Sequence, residues 1–515
     1  HGACGGAGRP RVGVSDSGGA ARLSRAYVWY ALLLLSFGNL LNYLDRSIIF
    51  ALFEPLRNEL HVTDTQLGWL GAVFAIVFAF GSLVAGVLSD LLPRRLVIAG
   101  GVAAWSGFTA LGGAAGSYWQ LFTSRAVVGV SQSSYLPAAQ ALLADYFPDK
   151  GRAQAMGIFW SGLVLGGVLA VWIGGLLASA FGWRSALLLV GLPGVLFAGV
   201  LARLRDPWAR AGVAKPRPPR RKFDVTIRLG FRAVAPLLWS VLVASVVVGV
   251  MALVEGMPAE ADTAVFLGIA GVGLAWTVWK WVRVVLRRVA DLPGGAPADV
   301  VDEMLDAAAL VLRTPTLIWM FIGGALTAAS MNSLVAWSLS YVQRELGMEL
   351  AAAGRQIGLV GLAGGVLGSW AGGRLGDRLM ERWESGRVIA GASGFLIGAP
   401  LCVAALLTHD VAVFSALFFA VVFLFTWYNG PVAAVLFDVV PRNVAATVMG
   451  AYVFFIHIAG DAVALPVVGL ISDRYGLRAA MLSLPAIGLL GGLILLISVR
   501  TVGRDMARVR QTAPA

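Results

Sequence analysis

The sequence predicts an all-α polytopic membrane protein of two pseudo-symmetric six-helix bundles, with an extra two-helix hairpin between the halves and 14 spans in total. Hydrophobic residues make up 58% of the 515 residues and charged residues 13%, whereas soluble domains are about 25% charged. Apolar runs of about 20 residues, enough to cross ~30 Å of hydrocarbon, recur along nearly the whole chain. The composition therefore excludes a soluble enzyme.

The spans of the two bundles form two sets of six. The first set lies at approximately 27–56, 67–90, 95–115, 119–147, 154–180 and 184–204. The second set lies at approximately 317–342, 355–374, 388–408, 411–439, 446–471 and 476–498. The chain then divides into a disordered basic N-terminal tail (1–25), an N-terminal bundle (26–205), a central cytoplasmic linker (206–316), a C-terminal bundle (317–500) and a C-terminal tail (501–515).

The central linker contains two further apolar runs, near 233–254 and 264–282, joined by an acidic loop. We expect them to form an inserted transmembrane hairpin at about 233–282, which returns the chain to the same side of the membrane. The alternative is a hairpin that lies on the membrane surface. The first run is too uniformly apolar for a surface helix, which needs one polar face.

Arginine and lysine residues follow the even-numbered spans, as Arg94, Arg95, Lys150 and Arg152 illustrate. The positive-inside rule assigns such connections to the cytoplasm. We therefore expect a multi-pass integral protein of the bacterial inner membrane with both termini cytoplasmic. The net charge of +12 is explained by this basic face, so no nucleic-acid partner is expected.

The two halves of the chain resemble each other. GVLSDLLPRR at 86–95 is echoed by GGRLGDRLMER at 372–382, PDKGRAQAMG at 148–157 by PRNVAATVMG at 441–450, and GWRSAL at 182–187 by GLRAAM at 476–481. The echoes keep the same order and nearly constant offsets of 287, 293 and 294 residues. They indicate an internal duplication of a six-span unit, as in transporter folds built from two parallel halves.

Duplicated six-span halves and the Gly-x-x-x-Asp…Arg-Arg signature after span two resemble the major facilitator superfamily. NYLDR in span one, LFTSRAVVGVSQSSYLPAAQALLADYF in span four and IHIAGDAVALPVVGLISD in span eleven resemble its Spinster branch of lysolipid and sphingolipid transporters. The resemblance implies a proton-coupled, alternating-access secondary transporter for an amphipathic or anionic substrate such as a lysophospholipid. It implies a monomer with no enzymatic activity, cofactor or metal.

The charged pair Asp45-Arg46 lies within an apolar run in span one. A charge at the bilayer centre costs ~2.5–3.5 kcal/mol on insertion scales, so it is tolerated mainly beside a protein-lined cavity. The resemblance implies that Asp45 binds a proton and that Arg46 and Arg125 face the substrate cavity. Gln132 stands where the family commonly has Glu; it can form hydrogen bonds but cannot titrate, which leaves Asp45 as the expected protonation site of the first half.

Span eleven carries His457 and Asp461 four residues apart, on one face of the helix. Such a pair can share a proton or a hydrogen bond, and His titrates near physiological pH. We expect a role in substrate or proton binding. The alternative is a neutral His that bonds to Asp for packing alone.

The duplicated motif after spans two and eight supplies candidate gating residues: Asp90, Arg94 and Arg95 in the first half, Asp377 and Arg378 in the second. The resemblance implies that they latch the two bundles in one conformation. Leu91 and Pro93 depart from the family's usual Arg and Gly, which would weaken the first-half latch. Solvated loop acids are the alternative reading of Asp90 and Asp377.

Two other functions remain open on the sequence alone. One is efflux of hydrophobic drugs, or uptake of organic anions, by a transporter of the same superfamily. The other is a non-transporting membrane receptor or scaffold. Glu54 and Glu59, near the outer end of span one, are expected to be solvated in the first external loop.

Overall fold

The structure is a computed structural model that describes residues 24–147, 152–205, 259–290, 300–441 and 444–512, with a few single positions between 236 and 247. These residues form helices and short connections, with no strand among them. The N-terminal tail and the first run of the predicted hairpin, near 233–254, fall almost entirely outside the described residues.

The described residues of the first half form seven helices. They are α1 (Arg25–Ala51), α2 (Phe53–Leu60), α3 (Asp64–Leu91), α4 (Arg94–Gly112), α5 (Tyr118–Ser133), α6 (Tyr135–Tyr146) and α7 (Arg152–Leu201). Two further helices of the described residues precede the second bundle: α8 (Ala259–Ala290) and α9 (Val300–Arg313).

The second bundle and the C-terminal segment contain nine described α-helices. They are α10 (Pro315–Leu346), α11 (Leu350–Met380), α12 (Gly386–Leu407), α13 (Val411–Phe425), α14 (Asn429–Asp438), α15 (Ala445–Phe455), α16 (Ala462–Tyr475), α17 (Leu477–Ile497) and α18 (Val499–Thr512). A 3₁₀ turn at Thr426–Tyr428 joins α13 to α14, and a π-helix at Ile456–Asp461 joins α15 to α16.

Polar residues begin several of these helices. The Ser24 hydroxyl accepts from the Tyr27 backbone N–H at 3.3 Å, and the Ser117 hydroxyl accepts from that of Gln120 at 3.4 Å. Asp410 accepts from the N–H groups of Ala412 and Val413 at 2.8 and 2.9 Å. The first N–H groups of a helix have no partner within it, so such caps determine where each of these three helices begins.

Within the described residues, ten helical stretches are long and apolar enough to cross a membrane. One of them, Gln154–Leu201, has 48 residues and is broken at Gly182, where φ is 79° and ψ is 162°. The equivalent turn in the second half is at Gly476, with φ 85° and ψ 157°. Only glycine adopts positive φ without steric cost, so each glycine separates two consecutive spans.

The predicted total of 14 spans depends on the inserted hairpin. Its second run lies within α8, which is not among the ten stretches found in the described residues. Counting α7 as two crossings and α5 with α6 as one gives the twelve spans of the two bundles. The hairpin itself stays a prediction.

The two halves contact each other mainly through α3 with α16 and α7 with α11. Glycines permit this close approach: a Cβ atom at Gly469 would lie 2.2 Å from the Asp64 carbonyl oxygen, and one at Gly354 would lie 2.8 Å from the Val171 carbonyl oxygen. The rings of Phe53 and Trp337, both fully buried, pack 4.9 Å apart in the same region. The bundles are therefore packed together at the end where α10 finishes, which we call the Arg344 end.

The segment expected to be a C-terminal tail is the helix α18. Val502 and Met506, four residues apart, are 1% and 5% exposed against the second bundle. Asp505 accepts from the Thr316 backbone N–H at 3.1 Å and from the Thr316 hydroxyl at 2.6 Å. An apolar stripe with helical spacing and a side-chain cap for the start of α10 hold this segment in place.

Candidate functional site

The carboxylate of Asp45 lies against Gln132. Asp45 on α1 is 2% exposed and Gln132 on α5 is fully buried. The Gln132 Nε2 atom donates to Asp45 Oδ1 at 3.0 Å. The second carboxylate oxygen of Asp45 is buried with no hydrogen-bond partner, as is the hydroxyl of Thr109. The Gln132 amide thus stabilises one oxygen of the carboxylate, and the Arg125 guanidinium and the Thr109 hydroxyl lie close to the same group.

Arg125 is buried beside this carboxylate, with 2% exposure. Its Nη2 atom donates to the Arg46 carbonyl oxygen at 3.1 Å, whereas Nε and Nη1 have no hydrogen-bond partner. Its Cζ atom lies 5.2 Å from the centre of the Phe74 ring. A buried guanidinium with unused donors is costly.

Arg46 is half-buried and lies among aromatic rings. Its Cζ atom is 5.1 Å from the centre of Phe74, 5.3 Å from that of Phe78 and 5.8 Å from that of Tyr43. Contacts of this kind contribute about 0.5–2 kcal/mol each. No ion pair of the described residues joins Arg46 to Asp45, so the sequence neighbours are not partners.

A second polar cluster lies in the other half. Nδ1 of His457 is 2.7 Å from Oδ2 of Asp461, and Asn332 Nδ2 on α10 donates to Asp461 Oδ1 at 2.8 Å. The Asp461 residue is 4% exposed and the His457 side chain 15%. Both residues belong to the π-helix Ile456–Asp461. Such π-segments are rare and frequently mark functional sites.

Phe78 brings the two clusters together. Its ring packs edge-on against His457, with centroids 6.2 Å apart, and it also contacts the Arg46 guanidinium and stacks on Phe74 at 5.7 Å. Phe80 and Phe454 form a similar contact between the halves at 5.4 Å. The sequence analysis did not single out Phe74 and Phe78. Their spacing of four residues places both rings on one face of α3, and this spacing was the available signal.

The predicted gating residues form contacts inside each half. Arg94 donates to the Ala141 carbonyl at 2.9 Å and pairs with Asp145, and Arg95 donates to the Leu204 carbonyl at 3.4 Å. The Asp377 carboxylate accepts from Arg387 at 2.9 Å. Arg378 is exposed, and the side chain of Asp90 lies outside the described residues.

Arg387 also pairs with Asp438. Arg387 and Asp438 follow Arg94 and Asp145 by 293 residues each, the offset of one of the sequence echoes. The duplication has therefore kept this Arg–Asp ion pair in both halves. Among the described side chains, none of these pairs links the two bundles, and the gating role of these residues stays a prediction.

Ion pairs between the halves occur at the opposite end. The Arg344 guanidinium donates to both oxygens of Asp64, at 2.6 and 2.8 Å, and to Glu54 at 2.8 Å. The Ser472 hydroxyl also donates to Asp64, which is 1% exposed. We call Glu54, Asp64, Arg344 and Ser472 the latch cluster.

The expectation that Glu54 is solvated is wrong. Its side chain is 12% exposed and lies 2.7 Å from Arg344 Nη2, a partner 290 positions away. Glu59 accepts from Trp183 Nε1 at 2.6 Å and pairs with Arg184, with 49% of its side chain exposed. Local sequence contained no sign of these partners, because they come from distant spans.

Residues 35–261 and 262–461 match the family model of the Major Facilitator Superfamily. The chain belongs to this superfamily. It is 27% identical over 462 residues to an MFS-type efflux pump of Mycolicibacterium smegmatis, covering 89% of this chain and 87% of that protein. It is 32% identical over 157 residues to the sphingosine-1-phosphate transporter SPNS2 of Danio rerio, covering 30% of this chain and 31% of that protein.

The fold also matches a solved structure. A bacterial homolog of the human lysosomal transporter Spinster, in an inward-facing and unoccupied conformation, superposes with a TM-score of 0.69 and 20% identity over 94% of this chain and 99% of that one. At this identity the likeness shows the fold. The prediction of a superfamily transporter rather than an enzyme is confirmed, as is the resemblance to the Spinster branch.

Proposed function

We propose that the chain is a proton-coupled secondary transporter that works by alternating access and carries an amphipathic or anionic lipid, such as a lysophospholipid or a sphingolipid-like lipid. One observation carries the proposal: the polar clusters of the two halves meet at Phe78, between Arg46 and His457. A ligand bound there contacts both bundles at once. Movement of one bundle against the other then changes the access of that site.

Asp45 is the proposed proton site of the first half. Its second oxygen, Oδ2, can accept a proton without breaking the hydrogen bond from Gln132 to Oδ1. Loss of the negative charge strengthens the positive field of Arg46 and Arg125 nearby, because the neighbouring counter-charge is removed. Protonation would therefore favour binding of an anion, which couples the two events.

Arg46 and Arg125 are the proposed anion site. A guanidinium presents several N–H donors that match a phosphate or carboxylate. Nε and Nη1 of Arg125 are unused, and the Arg46 guanidinium contacts aromatic faces rather than acids. The rings beside them can take the apolar part of the ligand. This combination suits an amphipathic molecule with an acidic head.

His457, Asp461 and Asn332 are proposed to respond to substrate or protons in the second half. Asn332 holds one oxygen of Asp461, while His457 holds the other. Protonation of the imidazole would change the charge that faces Phe78 and the bound ligand. The cluster thus gives the second half its own titratable contact with the proposed site.

Alternating access is supported by the asymmetry of the contacts between bundles. The latch cluster joins the halves at the Arg344 end, whereas the arginine pairs at the opposite end remain within each half. By the distribution of basic residues, the Arg344 end would face outward. The conformation is then closed to the outside, and the gating motifs Asp90, Arg94, Arg95, Asp377 and Arg378 would engage in the other state.

The substrate class rests on the relatives. The Danio rerio protein, which matches over part of its length, is named as a sphingosine-1-phosphate transporter. Sphingosine-1-phosphate is a lipid with a phosphate head. The M. smegmatis relative, which matches over most of its length, is named as an efflux pump, and this favours drug efflux as the second candidate. Organic-anion transport and a non-transporting receptor are the remaining alternatives.

The test is flux of a fluorescent lysophospholipid and of a cationic dye into proteoliposomes, each with and without a pH gradient. We expect lysophospholipid flux that responds to the gradient in the wild type and loses that response in Asp45→Asn. Full gradient sensitivity in Asp45→Asn would contradict the proton role. Dye flux without lipid flux would favour the efflux pump, and no flux of any substrate would favour the receptor.

A further inference from the structure

Helix α3 of the first half is capped by a carboxylate of the second half. Asp473, in the last turn of α16, accepts from the backbone N–H groups of Asp64 and Thr65, each at 2.8 Å. It also accepts from the Thr65 hydroxyl at 2.6 Å. These bonds join residues 408 and 409 positions apart. The start of α3 is therefore completed by the other bundle.

The neighbouring N–H groups of this first turn have partners within their own segment. The Gln66 N–H donates to the Thr63 hydroxyl at 3.2 Å, and the Thr63 N–H donates to Gln66 Oε1 at 2.9 Å. This reciprocal arrangement is a capping box, which supplies acceptors that a helix lacks at its start. Asp473 supplies the acceptors for the two N–H groups between them. Separation of the halves would remove those two acceptors and leave the capping box in place.

Asp473 is unfavourably placed in its own helix. The last turn of a helix carries partial negative charge, which disfavours an acid, whereas the first turn carries partial positive charge and favours one. Asp473 lies in the last turn of α16 and beside the first turn of α3. A residue that breaks a local rule in one element is expected to serve a contact elsewhere. For Asp473 that contact is the one between the halves.

The backbones of α3 and α16 approach closely beside this cap. A Cβ atom at Gly469, one turn before Asp473, would lie 2.2 Å from the Asp64 carbonyl oxygen, and one at Gly68 would lie 2.4 Å from the Leu465 carbonyl oxygen. Small residues permit such contact between spans. Gly469 and Asp473 are four residues apart, so they lie on one face of α16. The face that meets α3 thus holds both the glycine and the acid.

We propose that Asp473 is a gating residue, which stabilises the closed state of the Arg344 end by capping α3 and releases the first turn of α3 when the bundles separate. The inference rests on the alternating access proposed above. The two halves exchange acids at this end: Asp64 of the first half binds Arg344, and Asp473 of the second half binds the backbone of the first. Opening breaks both contacts, so the order of the first turn of α3 follows the position of the gate.

The test applies two measurements to the purified full chain in detergent. Hydrogen exchange, resolved to single amides by mass spectrometry, follows the N–H groups of Asp64 and Thr65. Distances between spin labels at Asn58 and Arg355, exposed positions in the two halves, give the closed and open populations in a chain without its native cysteines. Asp473→Ala should accelerate exchange at both amides and lower the ratio of closed to open populations roughly 2- to 30-fold, the range for loss of a helix cap.

The matched control is Asp410→Ala. Asp410 also accepts from two backbone N–H groups, those of Ala412 and Val413, at 2.8 and 2.9 Å, but it caps a helix of its own half. This variant should accelerate exchange at those two amides and leave the label distances as in the parent. A change in distances equal to that of Asp473→Ala would reduce the effect to general loss of stability and overturn the proposal.

Arg344→Ala tests whether the cap breaks with the gate. Once this variant has opened the end, the amides of Asp64 and Thr65 should exchange faster although Asp473 is intact; unchanged protection would overturn the proposal. Faster exchange in Asp473→Ala with unchanged label distances would make Asp473 a local cap without a gating role. If Asp473→Ala does not fold, Asp473→Asn, which keeps one acceptor oxygen, gives the same decision.

Lysophospholipid flux is measured beside these two readouts. Absence of flux in the wild type would contradict the proposed function, whereas the exchange rates and label distances test the role of Asp473 without any substrate. Failure of the proposed function and failure of this inference are therefore distinguishable.

Discussion

Arg344 and Asp64 form a bidentate ion pair across the two halves of the chain, with nitrogen to oxygen distances of 2.6 and 2.8 Å. The Arg344 side chain is 16% exposed and that of Asp64 is 2% exposed. A pair so well buried is costly to break on one side only, because the remaining charge is left without a partner. The pair thus joins the two halves at the Arg344 end, where we propose that it acts as a latch.

Removal of Arg344 should open this end. Breaking a buried ion pair costs about 3–5 kcal/mol, so Arg344→Ala should shift the conformational equilibrium away from the closed state. The measurement is the distance between spin labels at Asn58 and Arg355, one exposed position in each half, with both native cysteines replaced. We expect a longer distance population to become dominant.

The matched control is Arg184→Ala. Its partner Glu59 lies in the same half, and the two side chains are 39% and 49% exposed, so the loss should be no more than ~1 kcal/mol. The label distances should remain as in the parent. Identical distances in Arg344→Ala and the parent would refute the latch.

Truncation of Phe78 should weaken substrate binding. The ring contacts the Arg46 guanidinium and His457, and loss of a cation–π contact of about 0.5–2 kcal/mol corresponds to a roughly 2- to 30-fold rise in KM. Because Phe→Ala in a core also costs about 3–5 kcal/mol of stability, Phe78→Leu is measured beside Phe78→Ala. Lysophospholipid flux gives KM for both.

Phe80→Leu is the control for Phe78→Leu. Phe80 makes its ring contact with Phe454, without a charged partner, so it tests packing between the halves alone. Its KM should stay within about two-fold of the wild type, a change of under ~0.5 kcal/mol. Equal effects of the two substitutions would remove Phe78 from the site.

Neutralisation of Arg46 should raise KM for a charged substrate and not for an uncharged one. A hydrogen bond to a charged group contributes about 1.5–3 kcal/mol, so Arg46→Gln should raise KM for an anionic lysolipid by roughly 10- to 100-fold and leave KM for an uncharged analogue nearly unchanged. Equal changes for both substrates would contradict the anion site.

Arg125→Gln should differ from Arg46→Gln in stability. Arg125 is buried and donates across to the Arg46 carbonyl, whereas Arg46 is half-buried among rings. We expect Arg125→Gln to lower the unfolding temperature in addition to raising KM. Thermal unfolding in detergent, measured for both variants, decides this; equal unfolding temperatures would contradict the expectation.

Adding a methyl group at Gly469 should destabilise the contact between α3 and α16. Its Cβ would lie 2.2 Å from the Asp64 carbonyl oxygen, and overpacking of this kind costs about 1–3 kcal/mol. Gly373→Ala is the control, since no heavy atom lies within 4 Å of its added Cβ. There the helix should gain about 0.5–1 kcal/mol. The unfolding temperatures should move in opposite directions.

The bundles were predictable because a lipid environment demands long apolar helices, and the duplication repeats them. The sequence places Asp45 and Arg46 side by side but does not give their partners, because residues next to each other on a helix point about 100° apart and do not face each other. The actual partner of Asp45, Gln132, lies on another span.

The features that the sequence did not predict depend on contacts between distant spans. Glu54 is polar and near a span end, features typical of a solvated loop, yet its partner Arg344 is in the other half. The packed helix α18 was equally hard to predict, because a short basic segment is typical of a tail. Its structure depends on contacts with Thr316 and with the apolar surface that buries Val502 and Met506. Local composition does not contain such information.

The turns at Gly182 and Gly476 share nearly the same dihedral angles, 79° and 162° against 85° and 157°. Each is followed two residues later by an arginine, Arg184 or Arg478. Two ancestral copies whose side chains have largely diverged have thus retained one hairpin corner. A segment exchanged between these two turns would find the same backbone conformation at its new position, so either turn can replace the other.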